Sequence, residues 1–357
     1  MAVAVNNEAT SARPGVHSNE VSGLRRYRLH GLTLATARIF STWSTVTDEE
    51  PTVGDDEWLL TLCPGEGLTQ ASKPHDDDYY AVWNVVKGSA ENPETVAYRV
   101  NLPDGQLASE FVIDLVGRSV TVSWATDWPE THEGVEFLLG SRVLPVVARL
   151  SRGGLPVHAT AVEFQGRALV ICGVSGAGKS TLTVALLAAG CSLLGDEPVV
   201  LDSSSEGVTA SQSSLLLRVH DGSTAMTQLA QLGREVVGSR DKVAGLPTAA
   251  EALSRAPLPV AAIVVLGPRN SDLAAAEFVP LEGIEAVNAL LGQRYSARGP
   301  VPVLTGDFES AAAVTALVPV LRATLPDTVD LLPQSAAQLL ARAGLQTAGQ
   351  VASNQVG

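Results

Sequence analysis

The chain has 357 residues, of which 45% are hydrophobic and 17% charged, and its formal net charge is −14. This length predicts two domains, or one domain with a large extension. The acidic balance disfavours nucleic-acid binding as the main activity, because phosphate backbones are bound by clustered Lys and Arg. No run approaches the roughly 18 consecutive apolar residues that a membrane span requires, so no membrane partner is expected.

The N-terminal part of the chain is rich in strand patterns. Residues 1–23 are polar and irregular, so we expect them to be disordered. Residues 24–132 contain short apolar-alternating segments separated by turn signals, which predict an antiparallel β-rich domain. All five tryptophans lie in this part; we interpret them as core residues, with stacking on a peptide as the alternative. The predicted strands are Arg26–Ala35, Glu57–Leu62, Tyr79–Val86, Thr95–Leu102 and Glu110–Val122.

Residues 133–345 are predicted to form a second domain with alternating helices and strands. Apolar residues at helical spacing predict an amphipathic helix from Glu133 to Leu150, which leads into this domain. The residues 346–357 are expected to form a loose tail. The later predicted elements are strands at Leu215–Val219 and Val260–Leu266, and helices at Ile284–Leu291, Ala311–Leu321 and Ala336–Ala343.

One segment of the second domain has a clear chemical signature. Residues 173–180 read Gly-Val-Ser-Gly-Ala-Gly-Lys-Ser, a complete Walker A motif, G-x-x-x-x-G-K-[ST]. An apolar run precedes it and an apolar-periodic stretch follows it, which is the strand, turn and helix context that this motif requires. The pattern predicts a nucleotide-binding loop for ATP and Mg²⁺. Its expected contact residues are Gly173, Val174, Ser175, Gly176, Ala177, Gly178, Lys179, Ser180 and Thr181.

An acidic pair follows the loop helix directly. The helix is expected to end at Gly190, and a short strand then leads to Asp196-Glu197-Pro198. Asp196 therefore lies at the end of the strand that comes immediately after the loop helix. An exposed turn is the alternative interpretation, because Asp before Pro commonly marks one. The chain has no Asn/Thr-Lys-x-Asp motif and no Leu-Ser-Gly-Gly-Gln motif, which disfavours switch GTPases and transporter ATPases.

A histidine precedes the loop on a predicted hairpin. The strand from Leu155 to Val162 carries His158, and Gln165-Gly166 provides the turn into the loop strand. Adjacent strands could bring His158, Lys179 and Asp196 into one cleft. The alternative is a core-strand histidine that bonds to the backbone.

Together these residues resemble the HPr kinase/phosphorylase superfamily, most closely its HPr-kinase-like branch found beside bacterial peptide-tailoring genes. The resemblance covers roughly residues 153–202. It implies an α/β P-loop kinase domain of the HPr-kinase / PEP-carboxykinase-like type, preceded by the antiparallel β-rich domain. The family typically has an Asp-Asp pair where this chain has Asp196-Glu197. The family's peptide-phosphorylating regulators often carry an acid after the first loop glycine, where this chain has Val174. The chain also lacks the family's long glycine-rich loop near the active site. Both differences disfavour dual kinase/phosphorylase activity on HPr itself.

The expected roles follow from the needs of phosphoryl transfer, which are in-line positioning and neutralisation of charge. We predict that Asp196 acts as the base or orients the acceptor hydroxyl, while Lys179 contacts the outer phosphates. Ser180 and Glu197 are expected to hold the metal or its waters. His158 either pairs with Asp196 or contacts phosphate directly.

The resemblance also implies a basic residue near the phosphates in the segment after residue 237. Arg240 and Lys242 are the candidates, since the family has a basic residue after an Asp at this stage of the chain. They could clamp a phosphate. Solvated loop charges are the alternative.

The function predicted from these patterns is an ATP- and Mg²⁺-dependent kinase for a hydroxyl acceptor, specifically a serine of a peptide or small protein. A basic peptide would suit the acidic surface. A small-molecule kinase of natural-product or amino-acid metabolism, or a nucleotide-gated binding module without transfer, are the alternatives. A dimer contact through the β-rich domain stays open. Three cysteines without C-x-x-C spacing, Cys63, Cys172 and Cys191, predict reduced thiols in a cytoplasmic protein.

Overall fold

The computed structural model describes eleven stretches of the chain and has a mixed α/β architecture with two large sheets and one small sheet. Everything below concerns these stretches alone. They are 24–37, 44–45, 57–64, 80–89, 92–101, 107–124, 134–220, 223–237, 242–245, 256–295 and 306–345.

The first sheet is built by the N-terminal part of the chain and has the strand order β3-β1-β2-β4-β8-β7-β6-β5. The prediction of a purely antiparallel sheet is wrong, because β4 pairs in parallel with both β2 and β8. Parallel neighbours need a long connection, and residues 37–56 provide one between β2 and β4. The strands are β1 (Arg25–Leu29), β2 (Leu32–Thr36), β3 (Ser44–Thr45), β4 (Glu57–Pro64), β5 (Tyr80–Gly88), β6 (Pro93–Asn101), β7 (Leu107–Asp114) and β8 (Ser119–Trp124).

Two segments that were predicted as single strands are hairpins. The segment 26–35 turns at His30 and Gly31, whose φ angles are positive, at 52° and 73° respectively. The segment 110–122 turns between Asp114 and Ser119. Each turn contains a glycine, Gly31 or Gly117, and the second falls on Val116-Gly117-Arg118, which is a turn signal in the sequence.

The predicted amphipathic helix forms and covers the first sheet. It consists of α1 (Val135–Leu138), a π-helical turn (Leu139–Val143) and α2 (Leu144–Arg152), and it ends at Gly153 with φ of 78°. Its apolar residues join one buried cluster with the sheet, and this cluster also contains Val200 and Tyr295 from later in the chain. Three of the five tryptophans are buried in the same cluster, as the core interpretation predicted: Trp58, Trp83 and Trp124. Trp43 and Trp128 lie outside the described residues.

The second sheet contains the predicted nucleotide-binding elements. Its centre is parallel, because β18 pairs in parallel with β11 on one side and with β20 on the other. The strand β10 joins β11 through the predicted hairpin turn and pairs with β12 on its other edge. The strands are β9 (Leu155–Val157), β10 (Ala159–Phe164), β11 (Arg167–Cys172), β12 (Ser192–Asp196), β13 (Val199–Ser204), β14 (Gly207–Ala210), β18 (Leu258–Leu266), β19 (Glu277–Leu281) and β20 (Val320–Thr324).

The small sheet and the remaining helices pack around this layer. The predicted helix 311–321 is wrong at its end: it stops at Leu317, and β20 begins at Val320. Val318 precedes Pro319 and is extended, with φ of −130°, because a residue before proline avoids the helical region. The elements are β15 (Leu217–His220), β16 (Val236–Val237), β17 (Lys242–Gly245), α3 (Lys179–Ala188), α4 (Thr224–Gln231), α5 (Gly283–Leu291), α6 (Asp307–Leu317), a 3-10 turn (Val329–Leu331) and α7 (Leu332–Arg342).

No helix in the described part of the chain combines the length and the hydrophobicity that crossing a membrane would need.

The turn between β1 and β2 connects the first sheet to the rest of the molecule. His30 is fully buried in this turn, and its backbone N–H donates to Gln212 O at 2.7 Å. The ring Nε2 lies 2.6 Å from Gly140 O in the π-helical turn. Because a carbonyl oxygen only accepts hydrogen bonds, Nε2 carries the ring proton in the neutral form. The guanidinium of Arg152 donates to His30 O and lies 3.4 Å from Asp202 in β13.

We predict that this buried histidine makes stability depend on pH. Burial lowers the pKa of His30 to about 4, Gly140 acts in the opposite direction, and Arg152 lowers it further. The unfolded chain therefore takes up the proton first as the pH falls. The stability contribution is complete above pH 6.5 and is lost between pH 6.5 and about 4, at a cost of about 3 kcal/mol.

Urea unfolding of the wild type and of His30→Asn at pH 7.5 and 4.5 measures this effect. Asparagine tolerates a positive φ and has no group that titrates in this range. The variant is expected to be less stable at pH 7.5 but to lose less stability on acidification than the wild type. An equal loss in both proteins would assign the acid sensitivity to other groups.

Candidate active site

The loop 173–180 lies between β11 and α3, as its sequence context predicted. Gly176 and Gly178 have positive φ values of 83° and 99°, which only glycine adopts without strain. The helix begins where Leu182 N–H donates to Gly178 O at 2.9 Å. Within the described residues, four loop N–H groups have no backbone acceptor, those of Gly176, Gly178, Lys179 and Ser180. These donors and the helix dipole create a site for an anion.

Lys179 is held at the base of this loop. Its side chain is only 5% exposed, and its Nζ donates to Gly173 O at 2.8 Å, across the start of the loop. The same Nζ lies 3.0 Å from Glu197 Oε1. The ammonium group is therefore positioned by one loop carbonyl and one carboxylate.

Glu197 also contacts His158. The distance from His158 Nε2 to Glu197 Oε1 is 3.1 Å, and the two side chains are 31% and 42% exposed. His158 thus pairs with Glu197 and not, as one alternative expected, with Asp196. It does not lie inside a strand either, since it occupies the break between β9 and β10, where its N–H donates to Gln293 O at 2.6 Å.

The chain around Gln293 is tied to the covering helix. Tyr295 N–H donates to Pro156 O at 2.8 Å, next to the break that holds His158. The Tyr295 hydroxyl donates to Ser141 O and accepts from Arg142 Nη1 at 2.7 Å. One tyrosine therefore links β9 to the π-helical turn.

Asp196 ends β12 and is buried, with 6% of its surface exposed. The exposed-turn interpretation is therefore wrong for this residue. Thr160, which faces Asp196 in the β10–β12 register, donates to Oδ1 at 2.7 Å, and Arg218 N–H donates to Oδ2 at 3.1 Å. Burial raises the pKa of Asp196 to about 6 and the charge of Glu197 adds to this, while Thr160, Arg218 and Lys179 act in the opposite direction.

Sequence reasoning missed three residues of this site. Thr160 lies opposite Asp196 in the pairing of β10 with β12, but β11 and α3 separate these strands in the chain, so no local signal marks the contact. Arg218 contributes a backbone N–H, which carries no side-chain signal. Arg269 packs against Gly178, where an added Cβ would lie 2.6 Å from Arg269 Nη2. Arg269 lies three residues after β18, and no sequence motif marks this position.

The predicted phosphate clamp is not tested by the structure. Arg240 lies outside the described residues. Lys242 is the first residue of β17, and its backbone pairs with His220 of β15. The contacts of its side chain are outside the described part.

The cysteines take no part in this site. Cys63, Cys172 and Cys191 are free thiols. Burial raises the pKa of Cys172 and of Cys191 to about 12. Both are therefore protonated near neutral pH, and a thiol is a far weaker nucleophile than a thiolate.

The donors at the loop fit a magnesium polyphosphate. Mg²⁺ is bound by oxygen atoms, usually from one or two side chains together with phosphates and water. Ser180, in the first turn of α3, and the half-exposed Glu197 carry such oxygens. The unused loop N–H groups provide the matching contacts for phosphate oxygens.

No family model matches the chain, and no curated protein matches it. Among solved structures, the HPr(Ser) kinase/phosphatase from Coxiella burnetii is similar over 56% of this chain and 96% of that chain, with 13% identity and a TM-score of 0.27. A TM-score this low establishes neither a shared fold nor a shared activity.

Proposed function

We propose that the protein is an ATP- and Mg²⁺-dependent kinase that transfers phosphate to a hydroxyl group, specifically a serine of a peptide or small protein. The observation that carries this proposal is the pair Asp196 and Glu197 at the end of β12. Asp196 is buried and fixed by two donors, and Glu197 contacts Lys179 of the loop. A carboxylate beside a nucleotide-binding loop is the arrangement that phosphoryl transfer requires.

The loop would bind the nucleotide. Its free N–H groups and the N-terminus of α3 face the phosphates, and Lys179 places a positive charge among them. Mg²⁺, when bound, neutralises charge on the phosphates, with Ser180 and Glu197 as its protein ligands. His158 contacts the same carboxylate oxygen of Glu197 as Lys179 does, so we assign it a positioning role.

Asp196 would receive the proton of the acceptor hydroxyl. As that proton leaves, the acceptor oxygen bonds to the terminal phosphorus, and the bond from phosphorus to the bridging oxygen breaks to release ADP. Each Asp196 oxygen already accepts one hydrogen bond, and a carboxylate has about four acceptor positions. The two protein donors therefore orient the group and still leave it able to accept a proton.

Two other functions remain as alternatives. A small-molecule kinase would use the same residues with a different acceptor. A nucleotide-gated binding module would need the loop but no carboxylate fixed in place beside it. The burial of Asp196 and its two donors favour a kinase over the module, because burying a carboxylate costs free energy and desolvated carboxylates with a raised pKa cluster at active sites.

For the acceptor, we predict that a basic peptide containing serine is phosphorylated with a higher kcat/KM than free serine. The net charge of −14 favours positively charged partners through long-range attraction. Transfer of labelled phosphate from ATP is measured with the full-length protein and three acceptors: a basic serine peptide, its serine-to-alanine counterpart and free serine. Faster transfer to free serine would favour the small-molecule kinase. Binding of ATP without transfer to any hydroxyl would favour the binding module.

A further inference from the structure

Arg269 is a second basic side chain at the loop, besides Lys179. It follows β18, which pairs in parallel with the loop strand β11, so both strands end at the same edge of the sheet. Ligands of open α/β sheets bind at this carboxyl edge. The guanidinium lies against Gly178, since Nη2, Cζ and Nε of Arg269 are 2.6, 3.3 and 3.3 Å from an ideal Cβ at that position.

The close approach of the guanidinium depends on the absence of a side chain at position 178. A Cβ at 2.6 Å from a guanidinium nitrogen would force Arg269 away from the loop. The guanidinium thus occupies the space that a side chain at 178 would fill. It stands beside the amide groups of the first helical turn, where the phosphates are expected.

The two cations at the loop differ in how well their charges are neutralised. Lys179 is only 5% exposed and lies 3.0 Å from Glu197, which is 42% exposed. The ion pair of Arg269 among the described residues is longer, at 3.8 Å to Asp327, and Asp327 is 66% exposed. Solvent screens such a pair strongly. A polyphosphate that enters the loop therefore meets, in Arg269, a positive charge with little compensation.

We infer that Arg269 binds the polyphosphate of the nucleotide, as a second cation next to Lys179. Its planar fork of five N–H donors matches phosphate oxygens, and its side chain is 23% exposed, so it can reach a ligand without leaving the loop. This inference rests on the proposed function only in so far as the loop binds a nucleotide.

The test is calorimetric titration of the full-length protein with inorganic tripolyphosphate and with ATP, both with Mg²⁺. Tripolyphosphate has no base or sugar, so it isolates the phosphate contact. Arg269→Gln is expected to weaken binding of both ligands about 10- to 100-fold, and Arg269→Lys is expected to weaken it less. Arg322→Gln is the matched control: this arginine in β20 is 48% exposed and pairs with Glu285 at 2.9 Å.

The outcomes separate the inference from the proposed function. If Arg269→Gln binds tripolyphosphate as tightly as the wild type, the inference is wrong, while ATP binding by the wild type still supports the proposed function. If Arg269→Gln weakens the binding of ATP but not that of tripolyphosphate, Arg269 contacts the nucleobase, and the inference is also wrong. Asp327→Asn is expected to bind tripolyphosphate at least as tightly as the wild type. If it weakens binding as much as Arg269→Gln does, the ion pair supports only the structure and the inference fails.

Discussion

Replacing Asp196 by asparagine is expected to lower the rate of phosphate transfer by about 10²–10⁴ while ATP affinity stays nearly unchanged. Asparagine keeps the size of the side chain and removes the proton acceptor. Its side-chain oxygen can still accept from Thr160, but its NH₂ group cannot accept from Arg218 N–H. A thermal melt therefore accompanies the kinetic measurement, to separate loss of the base from loss of fold.

Glu197→Gln is the matched variant for this experiment. It changes the neighbouring carboxylate, which contacts His158 and Lys179, and is expected to raise the Mg²⁺ concentration needed for half-maximal rate. Wild-type turnover in Asp196→Asn would show that Asp196 has no part in transfer. If Asp196→Asn loses as much ATP binding as it loses rate, Asp196 acts as a ligand of the metal.

Removing the charge of Lys179 is expected to abolish transfer and to weaken ATP binding by on the order of 2–4 kcal/mol. Lys179→Ala and Lys179→Met both remove the ammonium group, and methionine keeps most of the buried volume around a side chain that is 5% exposed. Calorimetric titration with a non-hydrolysable ATP analogue and Mg²⁺ measures the loss.

Lys87→Ala serves as the control for this second experiment. Lys87 is an exposed lysine of the first sheet that pairs with Glu94, and its removal is expected to leave ATP affinity unchanged. Unchanged affinity in both Lys179 variants would remove the loop 173–180 from the nucleotide site.

The sequence predicts best the parts of the site that depend on local chemistry. The hairpin turn at Gln165 and Gly166 is a two-residue signal, and both residues have the positive φ that such a turn requires. The helix α3 begins at Lys179, where the motif places it, and Gly190 follows its end with φ of 95°. Each of these features is encoded within a few neighbouring residues.

The missed features depend on residues that are far apart in the chain. Arg269 is 91 positions from Gly178, and His158 is 39 positions from Glu197, so no periodicity or motif reports either contact. The parallel pairing of β4 with β2 and β8 likewise joins segments that lie far apart in the chain. The predicted helix 311–321 extends into the first two residues of β20, because alanine and leucine favour helices, whereas pairing with β18 fixes the extended form there.

The hydrogen bonds of Tyr295 change what counts as one folding unit. This residue belongs to the core of the first sheet, yet its N–H binds Pro156, two residues before His158, and its hydroxyl binds the π-helical turn. Segments that are distant in the chain are therefore stabilised together. A substitution that loosens the N-terminal core would therefore, through Tyr295, also disturb the strand break that positions His158. The stability of the first sheet and that of the second sheet are coupled.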